Sequence, residues 1–160
     1  EFDDIISSKY GCIVRTFDPS MTKEPEKLQR PSKVWFYKIG LGKEDTVWSN
    51  GWKIMKMSSI LKKFHDENKT IDILKVDIEY SEWDSFEEMI KEGIFNNIKQ
   101  VLFETHIIGQ PNGSPSKATF KRFLKVWLDL YLIGFRQWKH GWNIYTNFTS
   151  NFIYGLEYQR

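Results

Sequence analysis

The chain has 160 residues, a length that corresponds to one domain or part of one, and 41% of them are hydrophobic while 28% are charged. With 7 Trp, 7 Tyr and 12 Phe, this composition can build a packed core and is unlike that of disordered chains. The formal net charge of +2 argues against a nucleic-acid partner, because contacts to many phosphates demand a strongly basic surface.

The sequence contains no hydrophobic run approaching the roughly 18–20 residues that would span a bilayer, and its first residues lack the pattern of a signal peptide. Its single cysteine, Cys12, excludes an internal disulfide and leaves a zinc cluster short of thiolates. We expect Cys12 to be a small, buried hydrophobic residue.

Short apolar runs alternate with amphipathic stretches, a pattern typical of an α/β sheet with helices on its faces. The first part of the chain predicts helices over Phe2–Lys9 and Ser59–Asp66 and strands over Ile13–Phe17, Val34–Ile39 and Ile71–Val76. A third helix is predicted to begin at a cap, Ser81, with Asp84 as a weak relative of the capping box, and to continue through Glu92 until Gly93 ends it.

The second part of the chain predicts a strand over Val101–Phe103, a loop over Gly109–Pro115 and a long helix. Helical spacing places one stripe of this helix in the core: Phe120, Phe123, Leu124, Trp127, Leu128 and Tyr131. Gly134 should end the helix, and two closing, antiparallel strands are predicted over Phe135–Trp138 and Phe152–Tyr158. No repeat or linker divides the chain, so we expect residues 1–160 to form a single domain or part of one.

Chemically useful residues follow the predicted strands, where ligands of open α/β sheets bind: Asp18, Gly40, Asp77, Glu79, Glu104 and His106. An acid at the end of the second strand often holds a ribose, about 20 residues after the glycine-rich turn of the first strand. Counting back from Asp18 places that turn near or before residue 1, so we expect the first strand and its glycine loop to be missing from this chain. Alternatively, Asp18 is only a turn residue before Pro19.

Ile73–Trp83 is the most informative stretch, because a buried strand leads directly into acidic residues and then a helix. Asp77 and Glu79 are thereby placed at the sheet edge. Glu82 and Asp84 are interpreted as favourable charges in the first helical turn rather than as catalytic groups.

The segment LKVDIEYSEW, Leu74–Trp83, resembles the methyltransferase-domain family that includes methyltransferase-like protein 24 and is related to the FkbM-type O-methyltransferases. The likeness continues in order through further blocks: Phe2-Asp3 with Gly11-Cys12, Phe17–Ser20, Trp35–Tyr37 with Gly40–Gly42, Gln100–His106, and Gly134–Arg136 with Asn143. The blocks together are fairly specific, although none is decisive alone. At one position the chain departs from the family, since Tyr80 stands where a glycine is expected, which puts the shape of the loop after Asp77 in question.

The resemblance implies a Rossmann-like class I methyltransferase fold, a seven-stranded sheet with helices on both faces, and S-adenosylmethionine as cofactor. It further implies that Asp18, next to Pro19, binds the cofactor ribose, that Gly40 and Leu41 lie by the adenine, and that Asp77 faces the methyl-transfer crevice. O-methyl transfer to an unknown acceptor, a small molecule, glycan or protein, is the function so implied. A non-catalytic methyltransferase-like domain and a different nucleotide-binding α/β enzyme are the alternatives.

Transfer of a methyl group to oxygen requires an aligned acceptor and benefits from a base. His106 and Glu104, two residues apart after one strand, are candidates for that base and its orienting partner. The same residues could instead form a metal shell with Asp77, or a structural network of polar side chains.

Three N-x-S/T sequons, at Asn68, Asn112 and Asn147, fit a secreted glycoprotein or another protein of the secretory pathway, with coincidence as the alternative.

Overall fold

The computed structural model describes residues 2–21, 27–29, 33–106 and 116–139. The chain forms two compact units, Glu1–Glu104 and Thr105–Arg160. That residues 1–160 make a single domain stays a prediction. Among the described helices, none is long and apolar enough to cross a membrane.

The first sheet of the larger unit is built around a parallel strand pair. Helix α1 covers Phe2–Tyr10, and three strands follow: β1 at Val14–Phe17, β2 at Lys27–Gln29 and β3 at Val34–Tyr37. Strand β1 runs parallel to β3, from the pair Val14 and Val34 to the pair Phe17 and Tyr37, and β2 is antiparallel to β3 on its other side. The two predicted strands are therefore confirmed, each slightly shorter than expected, whereas β2 was not predicted.

A second, smaller sheet follows directly after β3. It contains β4 at Gly40–Leu41, β5 at Thr46–Val47 and β6 at Lys53–Met55, with β6 in the middle, parallel to β4 and antiparallel to β5. Strands of two or three residues are too short to show a periodic pattern, which is why the sequence did not predict this sheet.

The third sheet of the larger unit pairs two parallel strands across a helical connection. Helix α2 covers Met57–Lys63, β7 covers Ile71–Val76, α3 covers Glu82–Lys91, and a 3-10 helix at Ile94–Asn97 leads into β8 at Ile98–Phe103. The register of β7 and β8 runs from Ile71 and Ile98 to Val76 and Phe103. The mixed α/β class is thus confirmed, while one continuous Rossmann-like sheet and a missing first strand stay predictions.

The core of this unit consists of apolar side chains from the strands and the inner faces of α2 and α3. Phe86 of α3 is fully buried and makes edge-on ring contacts with Phe95 and Phe103, at centroid distances of 5.3 Å and 4.9 Å. Trp83 and Met89 are buried on the same helix. Helix α3 is therefore fixed against β8 and the 3-10 helix by aromatic packing.

The predicted start of α3 after Ser81 is confirmed, but the side-chain cap expected of Ser81 is not formed. Ser81 precedes α3 with helical backbone angles and makes no capping bond with its side chain, and its carbonyl instead accepts a 2.7 Å hydrogen bond from the hydroxyl of Ser85. A capping residue needs extended backbone angles, which the preceding turn does not allow here. The stop at Gly93 is confirmed, because Gly93 adopts a left-handed conformation with φ of +70°.

The second unit contains α4, Lys117–Ile133, which Ser116 caps and Gly134 ends with φ of +123°. Its predicted core stripe is largely wrong, because the buried residues are Phe123, Val126 and Leu130. Three of the stripe residues are more than half exposed: Leu124, Leu128 and Tyr131. Apolar residues lie on most sides of this helix, so periodicity alone could not select the buried face.

The remaining local predictions have mixed outcomes. Phe135–Trp138 forms no strand, and its first residue instead donates its N–H to the Leu130 carbonyl just after the helix. Cys12 is a free, half-buried thiol, and Asn68 is exposed. Several predictions lie outside the described residues: the loop Gly109–Pro115, the strand Phe152–Tyr158, and the sequons at Asn112 and Asn147. Localisation in the secretory pathway stays a prediction.

An ion pair connects the start of α2 to the end of α3. Lys56 precedes α2, and its ammonium group forms a hydrogen bond to Glu92 and lies 3.9 Å from Glu88. Burial raises the pKa of Glu92, but hydrogen bonds from Lys56 and Ser58 outweigh it and hold that pKa below its usual value of 4.5. The ionised form of Glu92 is therefore favoured in the folded protein.

We expect this pair to make stability depend on acidity. A carboxyl group whose pKa is lowered by folding stabilises the folded protein fully at pH values above its unfolded pKa of 4.5. This stabilisation is lost as the pH falls through the lower pKa of the folded state. Urea denaturation of wild type and Glu92→Gln should therefore show a stability difference at about pH 6 that shrinks toward about pH 3. Glu44→Gln, which changes an exposed acid, is the control, and a difference for Glu92→Gln that is constant across this range would contradict the prediction.

Candidate functional site

The first predicted site segment, Asp18-Pro19, follows β1 at its carboxyl end. The backbone N–H of Asp18 donates to the Tyr37 carbonyl at 3.1 Å, which extends the pairing of β1 with β3 by one residue. One carboxylate oxygen of Asp18, Oδ1, accepts bonds from the backbone N–H and the hydroxyl of Ser20, at 2.8 Å and 2.6 Å. Asp18 thus closes a turn over Pro19, as in the alternative interpretation. The other oxygen, Oδ2, accepts no hydrogen bond from the described part of the chain.

The second predicted site segment, Gly40-Leu41, lies against the first. A Cβ atom placed on Gly40 would lie 3.1 Å from Cγ of Pro19 and 2.6 Å from Cδ1 of Ile54. A hydrogen atom at this position therefore allows β4 to lie against both the proline turn and β6. The structure accordingly brings Asp18, Pro19 and Gly40 together at the end of the first sheet, while their binding of a cofactor stays a prediction.

The predicted acids Asp77 and Glu104 follow paired strands. Val76 and Phe103 are the last paired residues of β7 and β8, and the N–H of Glu104 donates to the Val76 carbonyl at 3.0 Å. Asp77 and Glu104 therefore both lie at the carboxyl edge of this sheet, where both are exposed. Lys75 places its ammonium group 3.8 Å from Asp77 Oδ2.

His106 belongs to the second unit of the chain. It follows β8 by three residues and is half-buried. Its predicted approach to Asp77, whether as a base or in a metal shell, stays a prediction.

The loop between Asp77 and α3 has an unusual backbone. Glu79 and Tyr80 adopt successive left-handed conformations with φ of +50° and +72°, which cost energy for residues other than glycine. Tyr80 therefore takes the conformation for which glycine is the usual residue, so its presence does not by itself force a different backbone on the loop.

The sequence interpretation missed the role of Glu82. This residue does lie in the first turn of α3, as expected, but its side chain is only 1% exposed, and its Oε1 accepts the N–H of Ile78 at 3.0 Å. Asp84, in contrast, points to the surface, where its carboxylate lies 3.8 Å from the Lys43 ammonium group. The one available signal for Glu82 was its spacing, five residues after Asp77 and immediately before a run of core residues.

The left-handed backbone at Tyr80 predicts that glycine is more stable than alanine at this position, the reverse of their usual order in a helix. Tyr80→Gly and Tyr80→Ala both remove the side chain, but only glycine relieves the backbone strain, so Tyr80→Gly should be the more stable by about 1 kcal/mol. The same pair at Tyr10, the last residue of α1, should show alanine the more stable, by up to about 1 kcal/mol. Urea denaturation measures both differences, and an alanine variant that is the more stable at position 80 would contradict the left-handed conformation.

The close packing of β4 against β6 predicts a specific coupling. Gly40→Ala should lower the free energy of unfolding by about 1–3 kcal/mol, because its new methyl group meets Cδ1 of Ile54. Ile54→Val removes that atom, so the cost of Gly40→Ala should fall in the valine background. Gly42→Ala is the matched control, because its methyl group would lie 2.4 Å from Cγ2 of Ile54, which valine keeps. Double-mutant cycles by chemical denaturation check this, and equal coupling for both glycines would refute the predicted packing.

Comparisons with known proteins agree with the resemblance in the sequence. A family model described as "Methyltransferase domain" matches residues 2–154. "Probable methyltransferase-like protein 24" of Homo sapiens is 28% identical over 109 residues, which are 65% of this chain and 29% of the human protein. The protein of the same name from Rattus norvegicus is 32% identical over 105 residues, which are 61% of this chain and 27% of the rat protein.

The chain therefore spans less than a third of the length of these two relatives. No solved structure matches it. Since the family match extends over almost all of the 160 residues, the chain belongs to the methyltransferase domain family.

Proposed function

We propose that this domain binds S-adenosylmethionine and transfers its methyl group to an oxygen of an acceptor, which is a small molecule, a glycan or a protein. Membership of the methyltransferase domain family supports a methyltransferase-type function, and such domains in general use this cofactor. The observation that carries the proposal furthest is the contact between the turn of Asp18 and the start of β4, because it joins two segments that the family resemblance assigns to one ligand.

The residues at this end of the first sheet fit the adenosine part of the cofactor. Asp18 uses Oδ1 within its own turn, so Oδ2 is the oxygen available to accept a bond from a ribose hydroxyl. The half-buried Leu41, which follows the buried Gly40, would offer an apolar surface to a flat adenine ring. An acid beside a glycine-containing strand end is the combination with which open α/β sheets commonly bind nucleosides.

The acids at the end of the third sheet fit the reacting part of the molecule. When bound, S-adenosylmethionine supplies an electrophilic methyl group on a positively charged sulfur. Asp77 would face this group, and His106, oriented by Glu104, would take the proton that the acceptor hydroxyl loses as its oxygen bonds to the methyl carbon and the bond from that carbon to sulfur breaks, which leaves a neutral thioether. Positioning of the acceptor in line with the methyl group is the larger requirement.

A non-catalytic methyltransferase-like domain is the second candidate. Tyr80 supports it, because a bulky side chain, rather than the backbone conformation, departs here from the expected glycine in the loop that would position substrate. Such a domain could still bind the cofactor but would not turn it over.

Calorimetry with S-adenosylmethionine on the full-length protein tests the proposal. We expect measurable binding, and Asp18→Ala should weaken it by about 1–3 kcal/mol, because a ribose hydroxyl loses its partner. Asp72→Ala, which removes an exposed acid of β7 that pairs with Lys99 of β8, is the charge-matched control and should bind normally. The absence of binding by the unaltered protein would remove the enzyme proposal.

A second measurement separates a catalyst from a binder. His106→Ala should lower turnover by ~10²-fold or more with little change in cofactor affinity, since general-base catalysis typically contributes that much. Turnover that persists in this variant would remove His106 as the base, and a protein that binds the cofactor without any turnover would support the non-catalytic domain.

A further inference from the structure

We propose that Glu82 is a positioning residue for Asp77. The buried carboxylate holds the peptide that follows Asp77 and thereby fixes the loop Asp77–Ser81 at the end of β7. This inference rests on the proposed function, because it assigns to Asp77 a place beside the bound cofactor.

The first observation is the burial of a charged residue type. Glutamate is rarely buried without a partner, because removing a carboxylate from water is costly unless hydrogen bonds compensate. Glu82 is 1% exposed, and its Oε1 accepts a hydrogen bond from the backbone N–H of Ile78 at 3.0 Å. The nitrogen of Ile78 and the carbonyl of Asp77 belong to the same peptide group, so this bond fixes the orientation of the peptide that leaves Asp77.

The second observation is the strain in the segment that the bond encloses. Glu79 and Tyr80 both have positive φ, and the N–H of Ser81 donates weakly to the Ile78 carbonyl at 3.4 Å. Strained backbone persists where surrounding interactions determine it, and it is concentrated at functional sites. A turn bond of 3.4 Å is too long to hold this loop by itself. The 3.0 Å bond to Glu82 is the stronger constraint.

The third observation is that α3 does not require Glu82 for its own anchoring. Trp83, Phe86 and Met89 are almost fully buried and pack this helix against the rest of the unit. An apolar side chain at position 82 would add to that packing, and replacement of buried charges by apolar groups is often neutral or stabilising. The hydrogen bond to Ile78 therefore gives the carboxylate a function at this position that an apolar side chain could not perform.

The experiment compares two substitutions of similar size at position 82 in the full-length protein. Glu82→Gln keeps an oxygen that can accept the Ile78 N–H, whereas Glu82→Met keeps the length and removes the acceptor. We expect Glu82→Gln to bind S-adenosylmethionine within about threefold of wild type and Glu82→Met to bind about tenfold more weakly. Glu87→Gln and Glu87→Met, on the same helix, are the matched controls and should not differ from each other.

A second readout does not depend on the cofactor. Hydrogen exchange followed by NMR should show a protected Ile78 amide in wild type and Glu82→Gln, and a faster-exchanging one in Glu82→Met. If Glu82→Met does not fold, Glu82→Asp replaces it, because its carboxylate is one methylene shorter. We then expect Glu82→Asp to bind more weakly than Glu82→Gln.

Two results would overturn the inference. The first is that Glu82→Gln and Glu82→Met, or Glu82→Asp in its place, bind S-adenosylmethionine with equal affinity. The second is that the Ile78 amide is unprotected from exchange in the folded wild type. Failure of the unaltered protein to bind S-adenosylmethionine would instead contradict the proposed function and the claim that the loop serves cofactor binding. In that case, hydrogen exchange at Ile78 would still decide whether Glu82 holds the loop.

Discussion

Parallel strand pairing is the constraint on which the site depends. Two neighbouring parallel strands end at the same edge of a sheet, so strand pairing alone places the residues that follow them close to each other. In the first sheet the pairing of β1 with β3 places Asp18 beside the chain that continues into Gly40. In the third sheet the pairing of β7 with β8 places Asp77 beside Glu104. Hydrogen bonds between backbone groups therefore decide which side chains can act together.

Contacts made by the segments that connect the strands further fix the positions of the strand ends. Gly40 lets β4 lie against both the Pro19 turn and Ile54, and Glu82 ties the start of α3 to the loop after β7. Lys56 connects the residue before α2 to the last part of α3 through Glu92. These contacts differ in kind, because the first is steric, the second is a buried hydrogen bond and the third is an ion pair that acid weakens. Each of them acts on an element that leads to or from a proposed site residue.

Much of the fold could be predicted from the sequence, but only where the hydrophobic pattern extends over enough residues to distinguish a strand or a helix. Strand β7 matches its predicted bounds, Ile71–Val76, although only Val76 at its end is buried and the strand contains Asp72 and Lys75. The short strands β2, β4, β5 and β6 carry no such pattern. The buried face of α4 could not be chosen because several of its faces are apolar.

The candidate site shows the same limit in a different form. Residue type and position after a strand were enough to predict where Asp18, Asp77 and Glu104 lie along the sheet edges. They could not reveal that Glu82 is buried or that Tyr80 is left-handed, because both depend on the path of the loop in three dimensions. Helix capping and helix dipoles also do not account for the contacts of this loop: the backbone angles of Ser81 keep it from capping α3, and Glu82, although in the first turn as expected, is buried.

The distribution of charge is consistent with the proposed cofactor. The chain as a whole carries a formal charge of +2, yet three acids, Asp18, Asp77 and Glu104, follow its parallel strands. Asp77 and Glu104 lie at the same edge, where the Lys75 ammonium group lies 3.8 Å from Asp77 Oδ2 and offsets part of the Asp77 charge. The exposed carboxylates of Asp77 and Glu104 place negative charge at this edge, which would attract a ligand with a positively charged sulfur. A neutral nucleotide fragment would gain nothing from this attraction, so the charge at this edge supports the proposal of S-adenosylmethionine rather than that of another adenosine-containing ligand.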